Sequence, residues 1–367
     1  MNGPLLRMLD ANANRAREGL RVVEDYARFV LDDDEFSKQL KDLRHDLAAC
    51  VGPYLPAAIL HRDTPGDVGT DHKTISEGVR PDLAAVVTAA GKRLGEALRV
   101  IEEVLKTHSR VESQSVESLR YRWYSLEQAV AGTFRPNRFA DVALYVLVTE
   151  SVCRRPWLEA AEQAILGGAD CLQLREKSLE SGELLRRAQA LVQLCRRHRV
   201  ICIINDRPDV AMLARADGVH VGQDDLPARA ARQAIGAETL LGVSTHNLEQ
   251  ARRAFRDGAD YIGVGPVFRS TTKPRDFLPG LDFARQVSEA MPHRPAVAIA
   301  GINAGNVDEV LATGIRSVAV SAAVLGAEDV RAAAAELKQR LVSAAATREP
   351  LSKDTDVPTS AGVVGQS

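Results

Sequence analysis

Apolar positions recur at helical spacing through the first third of the chain. The stretch Arg15 to Arg28, RAREGLRVVEDYAR, places Leu20, Val23 and Ala27 on one stripe with charges elsewhere, which predicts an amphipathic helix. The pattern returns further on: Glu18-Gly19-Leu20-Arg21-Val22-Val23-Glu24-Asp25 aligns with Glu96-Ala97-Leu98-Arg99-Val100-Ile101-Glu102-Glu103, Arg15 with Arg93, and Leu43-Arg44 with Leu119-Arg120. Such an echo predicts a duplicated helical pair and an all-α domain over residues 1–134. Between the copies lies HRDTPGDVGT, His61 to Thr70, whose Gly, Pro and Asp content predicts a connector. A second connector, GTFRPNRFAD, runs from Gly132 to Asp141, and beyond it the pattern changes. The apolar runs ALYVLV, CLQLR, ICIIN, GVHV, LLGVS, YIGVGPV, AVAIA and SVAVS alternate with amphipathic helical segments. Short, fully apolar strands imply a parallel sheet covered on both faces, and this many units close into a (β/α)8 TIM barrel, here over residues 135–345. An open doubly wound sheet is the alternative, but no Gly-rich turn follows the first strand. The fold class expected is therefore α/β, a TIM barrel preceded by an all-α helical domain. Residues 346–367 lack periodicity and read as a disordered tail.

Composition narrows the partners. The net charge of −2 over 367 residues gives no electrostatic case for nucleic acid. The chain contains no apolar run long enough to span a membrane, and its start has no apolar leader core, so no membrane association is expected. The five cysteines, Cys50, Cys153, Cys171, Cys195 and Cys202, show no C-x-x-C spacing; they read as core residues in a reducing compartment, the cytoplasm. The expected partners are small-molecule substrates, with homo-oligomerisation left open.

Candidate chemistry sits at the C-terminal ends of the barrel strands, where such folds carry their sites. In order these are Gln173, Arg175 and Lys177; Asn205 and Asp206; Asp225; Ser244; Ser270, Thr271, Thr272 and Lys273; Gly301; and Val320 with Ser321. Either Asp alone reads as a turn former or helix cap, but Asp206 and Asp225 stand one βα unit apart and can reach one hard cation, Mg²⁺. Arg175, Lys177 and Lys273 would converge on one mouth, where unit charges 4 Å apart repel by roughly 4 kcal/mol at an effective dielectric of 20. A polyanion bridged by the metal relieves that repulsion. Gly301 and the Val320-Ser321 turn lie where barrels bind a monophosphate through backbone amides. One diphosphate and one monophosphate in a single site point to transfer of an activated alkyl group with expulsion of pyrophosphate. No Ser-His-Asp set supports covalent hydrolysis. His220 and His246 read as packing or supporting residues rather than bases.

In the helical domain, Arg62 and the connector's amides could approach a phosphate, with Asp63 or Asp67 on a cation, or the segment is a plain surface connector. Arg15, Glu18, Arg21, Glu24 and Asp25 are open to the same two readings, site or solvated face.

Two resemblances sharpen these expectations. DANANRAREGLRVVEDYARFVLDD, the R-D-x-x-G-D-V-G-T loop and the second LRVIEE resemble the alternative hydroxymethylpyrimidine phosphate kinase, a domain sometimes fused to thiamine phosphate synthase. That resemblance implies ATP-dependent phosphorylation of hydroxymethylpyrimidine phosphate. The first copy reads Asn12-Ala-Asn14-Arg15 where the second reads Ala90-Gly-Lys92-Arg93, a departure that bears on the activity if both asparagine pairs are needed. The barrel's Gln173-Leu-Arg175-Glu-Lys177, Asn205-Asp206-Arg207, Gly218-Val-His220-Val-Gly-Gln-Asp224-Asp225, Gly242-Val-Ser244-Thr-His and Gly263-Val-Gly-Pro-Val-Phe with Thr272-Lys273 resemble thiamine phosphate synthase. This second resemblance implies joining of hydroxymethylpyrimidine diphosphate to thiazole phosphate. It further implies that Gln173, Arg175, Lys177 and Asn205 contact the pyrimidine diphosphate, Asp206 and Asp225 hold Mg²⁺, Ser244 bonds the pyrimidine, and Lys273 steadies the departing diphosphate. Ser270, Thr271, Thr272, Gly301, Val320 and Ser321 would then take the thiazole phosphate. Rivals are a thiazole tautomerase-like barrel and a helical domain with only an assembly or regulatory role.

Overall fold

The Asn2 side chain accepts a hydrogen bond from the Leu5 amide at 3.1 Å, and with Pro4 in the first turn it opens a long helix, α1 (Gly3–Phe29). The helix thus begins well before the RAREGL stripe that the apolar period marks. Polar caps open the other long helices in the same way: Asp33 for α2 (Asp34–Val51), Asp82 for α4 (Leu83–Lys106) and Ser109 for α5 (Arg110–Thr133), with the short α3 (Leu55–Ile59) after α2. The computed structural model describes residues 1–31, 33–63, 66, 80–134, 137–269 and 277–346. The chain divides into two compact units, Met1–Asn137 and Arg138–Ser367.

In the first unit, Leu9, Leu20, Val23, Leu43, Leu94, Leu98, Ile101 and Trp123 form the core. The sequence echo is visible as paired electrostatics. Glu24 accepts from Arg44 at 3.0 Å between α1 and α2, and Glu102 accepts from Arg120 at 2.8 Å between α4 and α5. Of the charged residues on the α1 stripe, Arg15, Glu18, Arg21 and Asp25 are exposed, whereas Glu24 is turned inward to this ion pair.

In the second unit, among the described residues, eight parallel strands close in sequence order into a barrel: β1 (Leu144–Val148), β2 (Cys171–Leu174), β3 (Ile201–Asn205), β4 (Gly218–Val221), β5 (Leu240–Thr245), β6 (Tyr261–Val264), β7 (Ala296–Ile299) and β8 (Ser317–Val320). Residues facing the helices form one core, including Val146, Leu172, Ile204, Val219, Leu241 and Val318. Those facing inward form another, with Phe139, Tyr145, Leu147, Cys171, Ile203, Tyr261 and Val297. This alternation is why the strands read as continuous apolar runs.

The two barrel ends are chemically different. At the N-terminal end an aspartate precedes each of β2, β4 and β6 and accepts from a backbone amide of the strand before it: Asp170 from Leu144 at 2.9 Å, Asp217 from Cys202 at 3.0 Å and Asp260 from Leu241 at 2.7 Å. Each carboxylate also meets a cation, Lys338, Arg138 and Arg232 respectively. These acids staple strands, and the candidate site acids lie at the other end.

Candidate active site

A cavity of about 580 Å³ opens at the C-terminal end of the barrel, and Gln173, Arg175, Lys177, Asn205, Asp206, Asp225, Ser244, Gly301, Val320 and Ser321 all line it. Ser270, Thr271, Thr272 and Lys273 lie outside the described residues, as does Asp67 of the connector in the first unit.

Asp206 follows β3 in the left-handed region at φ 61°, an uncommon conformation for a residue with a side chain, held by its amide donating to the His220 carbonyl at 2.8 Å. Burial and a hydrogen bond with the Asp225 carboxyl push the Asp206 carboxyl above its ordinary value, while Lys177, at 2.9 Å, pulls the other way. Asp225 in turn accepts from the Gly222 amide at 2.8 Å. Two carboxylates this close repel when both are ionised, and a divalent cation removes the conflict. Among the described residues no cluster of three His, Cys, Asp or Glu side chains adds further ligands. Two carboxylates alone suit Mg²⁺, which keeps waters and takes its remaining ligands from phosphate oxygens. The donor set therefore fits that ion.

Arg175 is placed by its backbone, whose amide donates to Val148 and whose carbonyl accepts from the Thr149 hydroxyl, both at 2.8 Å. The intervening Glu176 accepts from the Glu150 amide at 2.6 Å and lies 3.8 Å from Arg187. Arg269, exposed and not at a strand end, also lines the cavity.

At the β7 and β8 ends, Gly301 has φ 69°, and a Cβ there would lie 2.5 Å from the Arg269 carbonyl oxygen, so glycine is required on two counts. Its own carbonyl accepts from the Asn306 amide group at 2.9 Å. The Ser321 hydroxyl donates to the Leu147 carbonyl at 2.9 Å, which holds the turn into the short helix Ala322–Leu325. Amides at the start of a helix lack intrahelical partners, and Ala322 and Ala323 border the cavity.

The floor holds residues with no strand-end signal in the sequence. Tyr145 and Tyr261 are fully buried and share a hydrogen bond at 3.0 Å. Gln173 donates to the Tyr145 hydroxyl at 2.6 Å, and His220 meets Tyr261 at 3.2 Å through Nδ1 and Ser244 at 2.9 Å through Nε2. Burial pushes the His220 imidazolium down to about 4, against a smaller pull from Asp225. His220 is thus neutral near pH 7 and supports Ser244. His246 is engaged through Nδ1 with the Gly265 carbonyl at 2.6 Å.

In the first unit, Arg62 does not stand free for a phosphate: its Nε and Nη2 both donate to Asp10, each at 2.7 Å. That pair holds the Asp10 carboxyl below its ordinary value through the hydrogen bond from Arg62. Asp63 accepts from the Gly66 amide at 3.0 Å in a local turn. Asn12, which the comparison of the two copies marks, is buried, and so is Asp10, which that comparison does not mark; polar side chains on the inner face of α1, as in D-A-N-A-N, are the signal for it.

The model of the thiamine monophosphate synthase family matches residues 144–324, and that of the ThiD2 family matches residues 7–129. A thiamine-phosphate synthase of Rhodopirellula baltica is 43% identical over 333 residues, 87% of this chain and 88% of the relative. One of Thermosynechococcus vestitus is 41% identical over 342 residues, 92% and 95% of the two chains. Among solved structures, a thiamine phosphate pyrophosphorylase from Pyrococcus furiosus is 36% identical with a TM-score of 0.52, covering 56% of this chain and 98% of its own.

Proposed function

Because the chain belongs to the thiamine-phosphate synthase family, we propose that its barrel couples 4-amino-2-methyl-5-(diphosphooxymethyl)pyrimidine to 4-methyl-5-(2-phosphoethyl)thiazole and releases pyrophosphate. The observation that carries this reading is the acid pair Asp206 and Asp225, with Lys177 2.9 Å from Asp206, in a cavity that Arg175, Gly301 and Ser321 also line. Asp206 and Asp225 would hold Mg²⁺, which when bound neutralises charge on the diphosphate. Arg175, Lys177 and Lys273 would hold the diphosphate oxygens, and their positive charge favours its departure more than any base could. The methylene C–O bond breaks with its electron pair going to diphosphate. The aminopyrimidine carries the resulting cation, and the thiazole nitrogen's lone pair forms the new C–N bond. Gln173, Asn205 and Ser244 orient the pyrimidine. Ser270, Thr271 and Thr272 with Gly301, Val320 and Ser321 bind the thiazole phosphate. The neutral, engaged His220 supports a mechanism without a histidine base.

For the helical unit, the ThiD2 match supports ATP-dependent phosphorylation of hydroxymethylpyrimidine phosphate, which would supply the barrel's substrate.

Both readings are tested on the purified full chain. Calorimetry should detect Mg²⁺-dependent binding of pyrophosphate, lost in Asp206→Asn, and the two barrel substrates should yield thiamine phosphate. No such binding in the folded wild type overturns the barrel assignment. ADP formation from ATP and hydroxymethylpyrimidine phosphate should survive Asp206→Asn; its absence from wild type leaves the helical unit an assembly or regulatory module.

A further inference from the structure

The four hydrogen bonds across the barrel floor form one chain from Gln173 through Tyr145, Tyr261 and His220 to Ser244. Resting on the function proposed above, we infer that this chain is polarised, so that Gln173 meets the pyrimidine as an acceptor and Ser244 as a donor. Tyr145, Tyr261 and His220 are then positioning residues of the synthase.

The direction follows from which groups can donate. An amide nitrogen donates and never accepts, so the Tyr145 oxygen accepts from Gln173 at 2.6 Å. The Tyr145 proton then goes to the Tyr261 oxygen at 3.0 Å, and the Tyr261 proton to His220 Nδ1 at 3.2 Å. A neutral imidazole that accepts at Nδ1 carries its proton on Nε2, which donates to Ser244 Oγ at 2.9 Å. The Ser244 proton is left for the cavity. The opposite sense would send the Tyr145 proton toward the neighbouring Cys171 thiol, a weak acceptor, and would leave a phenol in the barrel core poorly satisfied.

The surroundings hold this chain in register. Phe139 stacks flat beneath Tyr261, with ring centroids 3.6 Å apart and planes within 1°. Above it, β5 comes close only because residue 242 is glycine: a Cβ there would lie 2.2 Å from Tyr261 Cζ and 2.4 Å from His220 Nδ1. At the other end the Gln173 carbonyl oxygen has no protein partner among the described residues, and Gln173 lines the cavity. An aminopyrimidine matches that polarity, with an exocyclic N–H for Gln173 and a ring nitrogen to accept from Ser244. A 4-oxo pyrimidine reverses both and leaves buried groups unpaired.

Three measurements on the full chain test this. Nitrogen-15 NMR of histidine-labelled, ligand-free protein, with the His220 signal assigned by its loss in His220→Gln, should show the Nε2–H tautomer; Nδ1–H overturns the relay. Tyr145→Phe and Tyr261→Phe should each lower kcat/KM for the pyrimidine diphosphate about tenfold and leave KM for the thiazole phosphate unchanged. The double variant should be no worse than the more impaired single one, because one break depolarises the whole chain. Inhibition by the 4-amino pyrimidine monophosphate should exceed that by the 4-oxo analogue, with the ratio shrinking about tenfold in Tyr261→Phe. Additive losses, or an unchanged ratio, refute the assignment. The tautomer is read without turnover, so an inactive wild type would overturn the proposed function while the relay is still decided by NMR.

Discussion

The duplicated helical pair carries its own control for the energetics of a buried ion pair. Glu102 and Glu24 occupy matching places in the echo, each facing an arginine, yet the Glu102 and Arg120 side chains are 1% and 7% exposed while Glu24 and Arg44 are 12% and 20% exposed. Glu102→Gln removes the charge and leaves the Arg120 guanidinium buried opposite a neutral amide. Breaking such a pair costs about 3–5 kcal/mol. Arg120 keeps the Tyr124 hydroxyl at 3.1 Å and lies 4.7 Å from the Tyr121 ring centroid, which places the loss near the lower limit, about 3 kcal/mol. Glu24→Gln, with water nearer, should cost about 1 kcal/mol. The protein has two tryptophans, and Trp123 lies on α5 beside the pair, so urea unfolding followed by fluorescence in a Trp157→Phe background reads the helical unit alone. Acid adds a second signature. Burial raises the Glu102 carboxyl, but hydrogen bonds from Lys106 and Arg120 outweigh it and hold the folded-state value below the ordinary one. A depressed carboxyl stabilises fully above the unfolded-state value and loses that contribution as pH falls through the folded-state value. The wild-type and Glu102→Gln stabilities should therefore converge in acid and separate above the ordinary glutamate range. Equal losses for the two variants, or a gap that widens toward acid, would refute the reasoning.

Three further outcomes follow from the barrel. Gly242→Ala, with nowhere for its Cβ between Tyr261 and His220, should lower barrel stability by about 1–3 kcal/mol in a thermal melt and reduce kcat/KM for the pyrimidine diphosphate further than either tyrosine variant does. Gly301→Ala combines a left-handed backbone with a 2.5 Å approach to the Arg269 carbonyl; steady-state kinetics should show KM for the thiazole phosphate rising while pyrophosphate binding by calorimetry is retained. Asp217→Ala removes the acceptor for the Cys202 amide and for Arg138 at the opposite end of the barrel, so denaturant unfolding should show a loss of about 1–3 kcal/mol with kcat unchanged.

What the sequence discloses and what it withholds divide along a physical line. The barrel is legible because each strand is buried on both faces and reads as an unbroken apolar run, and the cavity residues are legible because polar side chains recur at the C-terminal ends of successive runs, where one end of the barrel gathers them. Gln173, Asn205, Asp206, Asp225 and Ser244 all stand out on that rule, and all line one cavity. Tyr145 and Tyr261 do not. Inside β1 and β6 an aromatic residue conforms to strand propensity, and nothing in its one-dimensional neighbourhood announces that its hydroxyl meets a partner from another strand. Gly242 and Phe139 are hidden for a related reason, since a missing Cβ and a stacked ring matter only against Tyr261, which lies elsewhere in the chain. The helical unit repeats the lesson in reverse. Charge on the α1 stripe is open to two readings, and only burial separates Glu24, drawn inward by Arg44, from Arg15, Glu18, Arg21 and Asp25, which face water. Likewise Arg62, in a connector whose composition suits a phosphate loop, is held by Asp10 from a helix far away in sequence. Strand-end chemistry is encoded locally and can be read from order alone. The groups that orient it are encoded by pairing across the barrel, so their roles emerge only when the closed sheet brings β1, β2, β4, β5 and β6 around one floor.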